Sequence, residues 1–199
     1  MNNMLITALN LRKSIGISAI LLPVVLLVMA GPQDSFSAYY WTSQRDTLVG
    51  TLAVIGAFLM AYNGYDKRDM VTAKIAGVAA MFVAWFPTSP PGAAKFGVEW
   101  WTGAVHGSSA LIFFGALAYF CLRLFPLTAG GMTPEKIKRN RIFKGAGYVL
   151  LGAIAVSIAG VAMGDDSGPI VFWAETAGVW AFGWAWATKG EMILADSKD

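Results

Sequence analysis

Apolar and polar positions alternate along the chain in blocks far longer than a helical turn. Six runs dominated by Ala, Val, Ile, Leu, Met, Phe and Trp cover about residues 15–30, 47–62, 70–86, 101–125, 143–163 and 169–188, with short polar links between them. With its ends counted, each run approaches the roughly 20 residues that an α-helix needs to cross a hydrocarbon core about 30 Å thick. Backbone groups at that depth must be satisfied within the segment, which favours helices over isolated strands. The predicted fold is an all-α integral membrane protein: one domain, residues 1–199, forming a bundle of six transmembrane helices.

The links supply the boundaries. Arg12 and Lys13 precede the first run, and although Val28-Met29-Ala30 is loosely compatible with a signal-peptidase site, the run is read as a retained span kinked at Pro23. Ser43 or Asp46 is expected to cap the second helix. Residues 64–69 form a charged turn in which Asp66 and Asp69 flank Lys67 and Arg68, and Pro87, Pro90 and Pro91 forbid continuation of the third span. Within that span, Ala73, Gly77 and Ala80, and equally Ala76, Ala80 and Ala84, offer a small-residue face for close helix contact. Pro126 ends the fourth span. Thr133-Pro134-Glu135 is an N-cap with proline at the first helical position, opening a short basic helix that leads into the fifth span. The turn 164–168 contains Asp165 and Asp166, too few ligands for a calcium loop, and Pro169 opens the sixth span.

Composition strengthens this picture and adds direction. At 56% hydrophobic, 14% charged and a mean hydropathy of +0.56, the chain lies outside the range of soluble domains. With six spans, thirteen of the fifteen Lys and Arg residues fall on the side of the termini, and only Arg45 and Lys95 fall opposite. That asymmetry predicts cytoplasmic N- and C-termini in a cell (inner) membrane. The formal charge of +3 does not indicate nucleic acid, because the basic residues are confined to the links, where the 136–144 cluster suits anionic lipid headgroups. Membrane lipids are thus the expected partners, with a homo-oligomer or a membrane-complex subunit as further options. A single cysteine, Cys121, and the absence of CxxC or HxxxH spacing give no basis for a disulfide, a metal or another cofactor.

His106, the chain's one histidine, lies inside an apolar span, where a polar ring needs a partner and marks a candidate site. By counting residues, His106 and Glu175 each sit roughly 8 to 9 Å inside the outer ends of their helices. Arg45 and Asp46 begin the second span on that same side. Either Arg45 or His106 would relieve a Glu175 carboxylate that is costly alone in hydrocarbon. The four form a polar clamp holding helices two, four and six together, form a pocket open to the outside, or take unrelated orientations. Tyr39, Tyr40, Trp101 and Trp173, with Trp41, Trp85 and Trp100, lie near the outer boundary as an interfacial belt or as the mouth of that pocket. Trp173, Trp180 and Trp184 share a helix face and are expected to pack in the core. Ser108 and Ser109 are expected to bond helix backbone.

Ser35-Phe36-Ser37-Ala38-Tyr39-Tyr40, Arg45-Asp46 with Gly50, Phe86-Pro87-Thr88, His106, Glu175, Phe182-Gly183 and Lys189-Gly190 resemble a group of uncharacterised bacterial multi-pass membrane proteins with a distant likeness to the DRAM/Sfk-type membrane family. That resemblance implies a helical membrane fold and no particular chemistry. The chain is also similar to the alkaline ceramidase and adiponectin-receptor type of membrane hydrolase in being multi-helical with a polar site in the bilayer. Those enzymes hold zinc with several histidines, and a chain with His106 alone departs from the pattern.

The leading expectation is binding of a lipid or small amphiphile in a pocket lined by Arg45, Asp46, His106, Glu175, Tyr39, Tyr40, Trp101 and Trp173. The alternatives are a membrane-embedded hydrolase using His106 and a carboxylate, a proton-coupled transporter whose polar path would continue through Tyr62, Tyr65 and Asp66, and an accessory or scaffold subunit.

Overall fold

The computed structural model describes residues 3–90, 98–128, 130–163 and 168–195. Lys95, Asp165, Asp166 and Lys198, which entered the charge count and the turn prediction, lie outside the described residues. Among the described residues the chain is all-helical. It comprises α1 (Asn3–Ala30), α2 (Arg45–Ala61), α3 (Lys67–Trp85), α4 (Val98–Tyr119), α5 (Pro134–Met163) and α6 (Pro169–Lys189). A 3-10 helix, Phe36–Trp41, precedes α2, and a π-helical turn, Phe120–Leu124, extends α4 up to Pro126. Among the described residues, three segments, Ala8–Ala30, Trp100–Leu124 and Pro134–Met163, are long and apolar enough to cross a membrane.

Helix starts follow local chemistry, with informative departures. The Asp66 side chain accepts the N–H groups of Asp69 and Arg68 at the start of α3, and the Asp69 N–H together with the Arg68 guanidinium holds its carboxyl below the usual carboxylate range. Thr133 Oγ1 accepts the N–H of Lys136, and Pro134 and Pro169 open α5 and α6. The expected cap of α2 is different: the N-cap is Gln44, without a side-chain cap bond, and Asp46 already lies in the first turn, where its charge complements the helix dipole. The basic segment after Pro134 is continuous with the rest of α5 rather than a separate helix. α1 begins far ahead of its apolar run and passes through Pro23. It can do so because Arg12, 4% exposed, donates to the hydroxyls of Tyr62 and Tyr65 at 3.2 Å each, so its charge does not end the helix.

Helices adjacent in sequence pack on one another, and α6 returns against α1, closing a ring. Close approach depends on absent side chains. A Cβ on Gly77 would fall 2.8 Å from the Gly56 carbonyl oxygen, and one on Gly16 would fall 2.5 Å from the Ala187 nitrogen, so α2–α3 and α1–α6 meet nearly backbone to backbone. Ala73, Ala76, Ala80 and Ala84 are buried beside Gly77, so both small-residue rows of α3 are used. The densest part of the core is aromatic: Trp186 is fully buried and meets Tyr62, Phe120, Phe125 and Phe182 at centroid distances of 4.9–5.9 Å.

The tryptophans of α6 predicted to pack in the core do not do so. Trp173 and Trp184 are 48% and 50% exposed, Trp180 reaches across to donate to the Ile20 carbonyl at 3.2 Å, and the core tryptophan is Trp186. A shared face does not distinguish protein from lipid as the surface it meets, because both are apolar.

Candidate functional site

The segment between α1 and α2 is the hub of the end of the ring at which His106 and Glu175 lie. Ser35 caps the 3-10 helix, its Oγ accepting from Ala38 N at 3.1 Å, and this turn presents two consecutive residues to two different helices. Glu175 of α6 accepts the N–H of Phe36 at 2.9 Å and a bond from Ser157 of α5 at 3.4 Å. His106 of α4 contacts Ser37 and the carbonyl of Phe86, just past α3. The tautomer follows from the partners. A carbonyl can only accept, so Nδ1 carries the proton and donates to Phe86 O at 2.7 Å. In the neutral ring Nε2 is then an acceptor, and the Ser37 hydroxyl donates to it at 2.8 Å. The ring is 6% exposed, whereas Ser37 keeps an intermediate share of its surface open.

His106 and Glu175 are therefore not bonded to each other. Each holds the same linker, one residue apart, and together they join α3, α4, α5 and α6 to it. Further bonds complete the attachment: Tyr39, fully buried, donates to the Gly31 carbonyl at 2.6 Å, Trp41 donates to Thr88 O at 3.2 Å, and Gly168 N donates to Asp34 O at 2.6 Å. Tyr40 instead carries Arg45, whose guanidinium donates to the phenol oxygen at 2.7 Å and stacks 4.4 Å from the ring centroid, exposed at the surface. Asp46 is exposed too, and Trp101 and Trp173 are 64% and 48% exposed. The eight residues predicted for one pocket thus divide into three that attach the linker, buried Tyr39 and His106 with half-buried Glu175, and a set of groups at or near the surface.

Two features were not foreseen. Ser37 was visible as part of a polar, aromatic link but carried no spacing signal toward His106. The second is a groove of about 640 Å³ between α3 and α4, whose lining includes Lys74, Val78, Phe82, Trp101, Val105 and Ser108. From Lys74 to Phe82 it runs roughly 12 Å at the helical rise. Ser108 spends its hydroxyl on the carbonyl of Ala104 in its own helix, leaving the wall effectively apolar. Trp101 is the predicted site residue along it. At its Phe82 end the groove adjoins the histidine: the Phe82 ring stacks on Phe86 at 5.5 Å, and the Phe86 carbonyl holds His106.

The opposite end is basic. Lys136 donates to the carbonyls of Phe125 and Leu127 at 2.8 and 3.2 Å, and Arg139 donates to Leu194 O at 2.7 Å. Lys189 lies 4.8 Å from the Tyr65 ring centroid. Burial, reinforced by Lys136 and Arg12, pushes its ammonium down to about 7. Tyr62 and Tyr65, offered above as a polar path, are occupied by Arg12. Among the described residues no cluster of three or more His, Cys, Asp or Glu side chains could hold a metal, and Cys121 is buried with a free thiol. No protein-family model matches the chain, and neither a curated protein nor a solved structure matches it significantly.

Proposed function

We propose that this is a multi-pass protein of the cell (inner) membrane, with six spans and cytoplasmic termini, that binds a lipid or small amphiphile in the outer half of the bilayer. In this reading the linker 31–44 faces the extracytoplasmic side, and the acyl part of the ligand lies in the α3–α4 groove. The groove carries the reading. Its volume lies within the ~300–1,000 Å³ of small-molecule sites, and its walls offer apolar contact along their length. Trp101 stands at the end nearest the linker, where an amphipathic ring marks the boundary between acyl chains and water. The bond of His106 in α4 to the Phe86 carbonyl ties α4 to the end of α3 beside the groove, so the groove is preformed and a ligand needs to order little.

The test is lipid retention. Protein released from nanodiscs is examined by native mass spectrometry as wild type, as Ala104→Trp, which fills the groove, and as Val54→Trp on the exposed face of α2. The reading expects a lipid adduct on wild type and Val54→Trp and its loss in Ala104→Trp. Equal adducts on all three, or none on any, would remove the groove as the binding site.

A further inference from the structure

Ser37 and His106 have the internal geometry of an activated nucleophile. The Ser37 hydroxyl points its proton at Nε2 from 2.8 Å, and the other ring nitrogen is fixed by a main-chain carbonyl at 2.7 Å. Three elements are thus in line: hydroxyl, base and a group that sets the tautomer of the base, which is what nucleophilic catalysis by serine requires. The orienting acceptor is the carbonyl of Phe86 in place of a carboxylate. It fixes the ring and interacts favourably with the positive charge that the ring acquires when it takes a proton. The serine is the more open partner, with His106 buried behind it. Phe82, in the wall of the groove, stacks on Phe86, whose carbonyl holds His106.

We propose that Ser37 and His106 form a nucleophile–base pair that transfers the acyl group of an ester amphiphile to water. The inference rests on the groove as the place where the acyl chain lies, and names the reaction at its outer end. The Ser37 Oγ forms a bond to the ester carbonyl carbon as its proton passes to Nε2 of His106. The C–O bond to the leaving alcohol breaks, and the proton on Nε2 goes to the departing oxygen. Water, deprotonated by the same nitrogen, then attacks the acyl-serine. The products are the alcohol, the carboxylic acid and the free Ser37 hydroxyl, so no oxidant, reductant or metal enters the balance.

A fluorophosphonate probe, which reacts with base-activated serines, tests the pair directly in nanodiscs. The modified residue is mapped by peptide mass spectrometry, and the melting temperature of each variant reports its fold. The expected result is one phosphonyl group on Ser37, none on folded Ser37→Ala, and a rate reduced at least ~100-fold in His106→Gln, which can hydrogen-bond but cannot act as a base. If His106→Gln does not fold, the wild-type labelling rate is followed against pH and is expected to rise through a single ionisation. Lipid adducts with no phosphonylation of Ser37 would overturn this inference while leaving the groove reading intact. Phosphonylation of Ser37 without lipid adducts would support the nucleophile and count against the groove. Labelling that persists unchanged in folded His106→Gln would overturn the role of the histidine.

Discussion

Replacing His106 by alanine removes the bond of α4 to the linker at Ser37 and its bond to the end of α3 at the Phe86 carbonyl. The imidazole is 6% exposed, so its loss leaves the Phe86 carbonyl and the Ser37 hydroxyl without this partner and opens a small void. An unsatisfied buried polar group costs about 1–3 kcal/mol. Ser37 lies at the lower end of that range because part of its surface is open. Adding the void, the total expected for His106→Ala is ~2–4 kcal/mol. Ser37→Ala removes one of the two bonds and is expected to cost ~0.5–1.5 kcal/mol. The informative quantity is the coupling. Once the ring is gone, the serine has lost its partner, so the double variant should be less destabilised than the sum of the singles by about 1 kcal/mol. Equilibrium unfolding in mixed micelles, followed by tryptophan fluorescence, measures all four corners of the cycle. Strict additivity within ~0.3 kcal/mol would refute a direct Ser37–His106 bond.

Other predictions follow from neighbouring contacts. Glu175→Ala is expected to cost ~1–3 kcal/mol and expose the Phe36 amide to hydrogen exchange, whereas Glu175→Gln keeps an acceptor and the protection; equal exchange in both variants would contradict the 2.9 Å bond. Gly77→Val drives a branched side chain against the backbone of α2 and is expected to cost at least ~2 kcal/mol, while Gly50→Ala, with open space around it, is neutral or slightly stabilising; the same unfolding assay decides. Lys189 supplies a pH dependence. With a folded value near 7 and an ordinary value of 10.5, the unfolded state holds more protons between the two, so this group makes stability rise across that window. Lys189→Met is expected to be more stable at pH 7 and to flatten that rise; an unchanged slope would mean that Lys189 is not desolvated.

Sequence showed the helices better than their partners. Prolines at 126, 134 and 169 and the Thr133 cap mark the helix boundaries they predict, because each acts through its own backbone or the next turn. The start of α1 was hidden because Arg12 and Lys13 resemble a helix end until Tyr62 and Tyr65, about fifty residues away, are seen to accept the guanidinium. His106 announced its need for partners, but the two it finds are 20 and 69 residues distant, and Phe86 contributes only its carbonyl. Glu175 meets a backbone N–H 139 residues away. Main-chain donors and acceptors exist at nearly every position, so no residue type signals them. The groove was equally silent: it arises from the spacing of α3 and α4, whose apolar faces read alike whether they meet protein or lipid.

The measurement closest to the central proposal is photolabelling in proteoliposomes with a phospholipid bearing a diazirine on its acyl chain, followed by residue-level mapping. A bound chain between α3 and α4 concentrates label on Val78, Phe82, Val105 and Ile112, in a manner that excess unlabelled lipid competes away. Label spread evenly over those residues and the exposed Val24, Val25 and Val28 of α1, insensitive to competition, would show only bulk lipid and contradict the account.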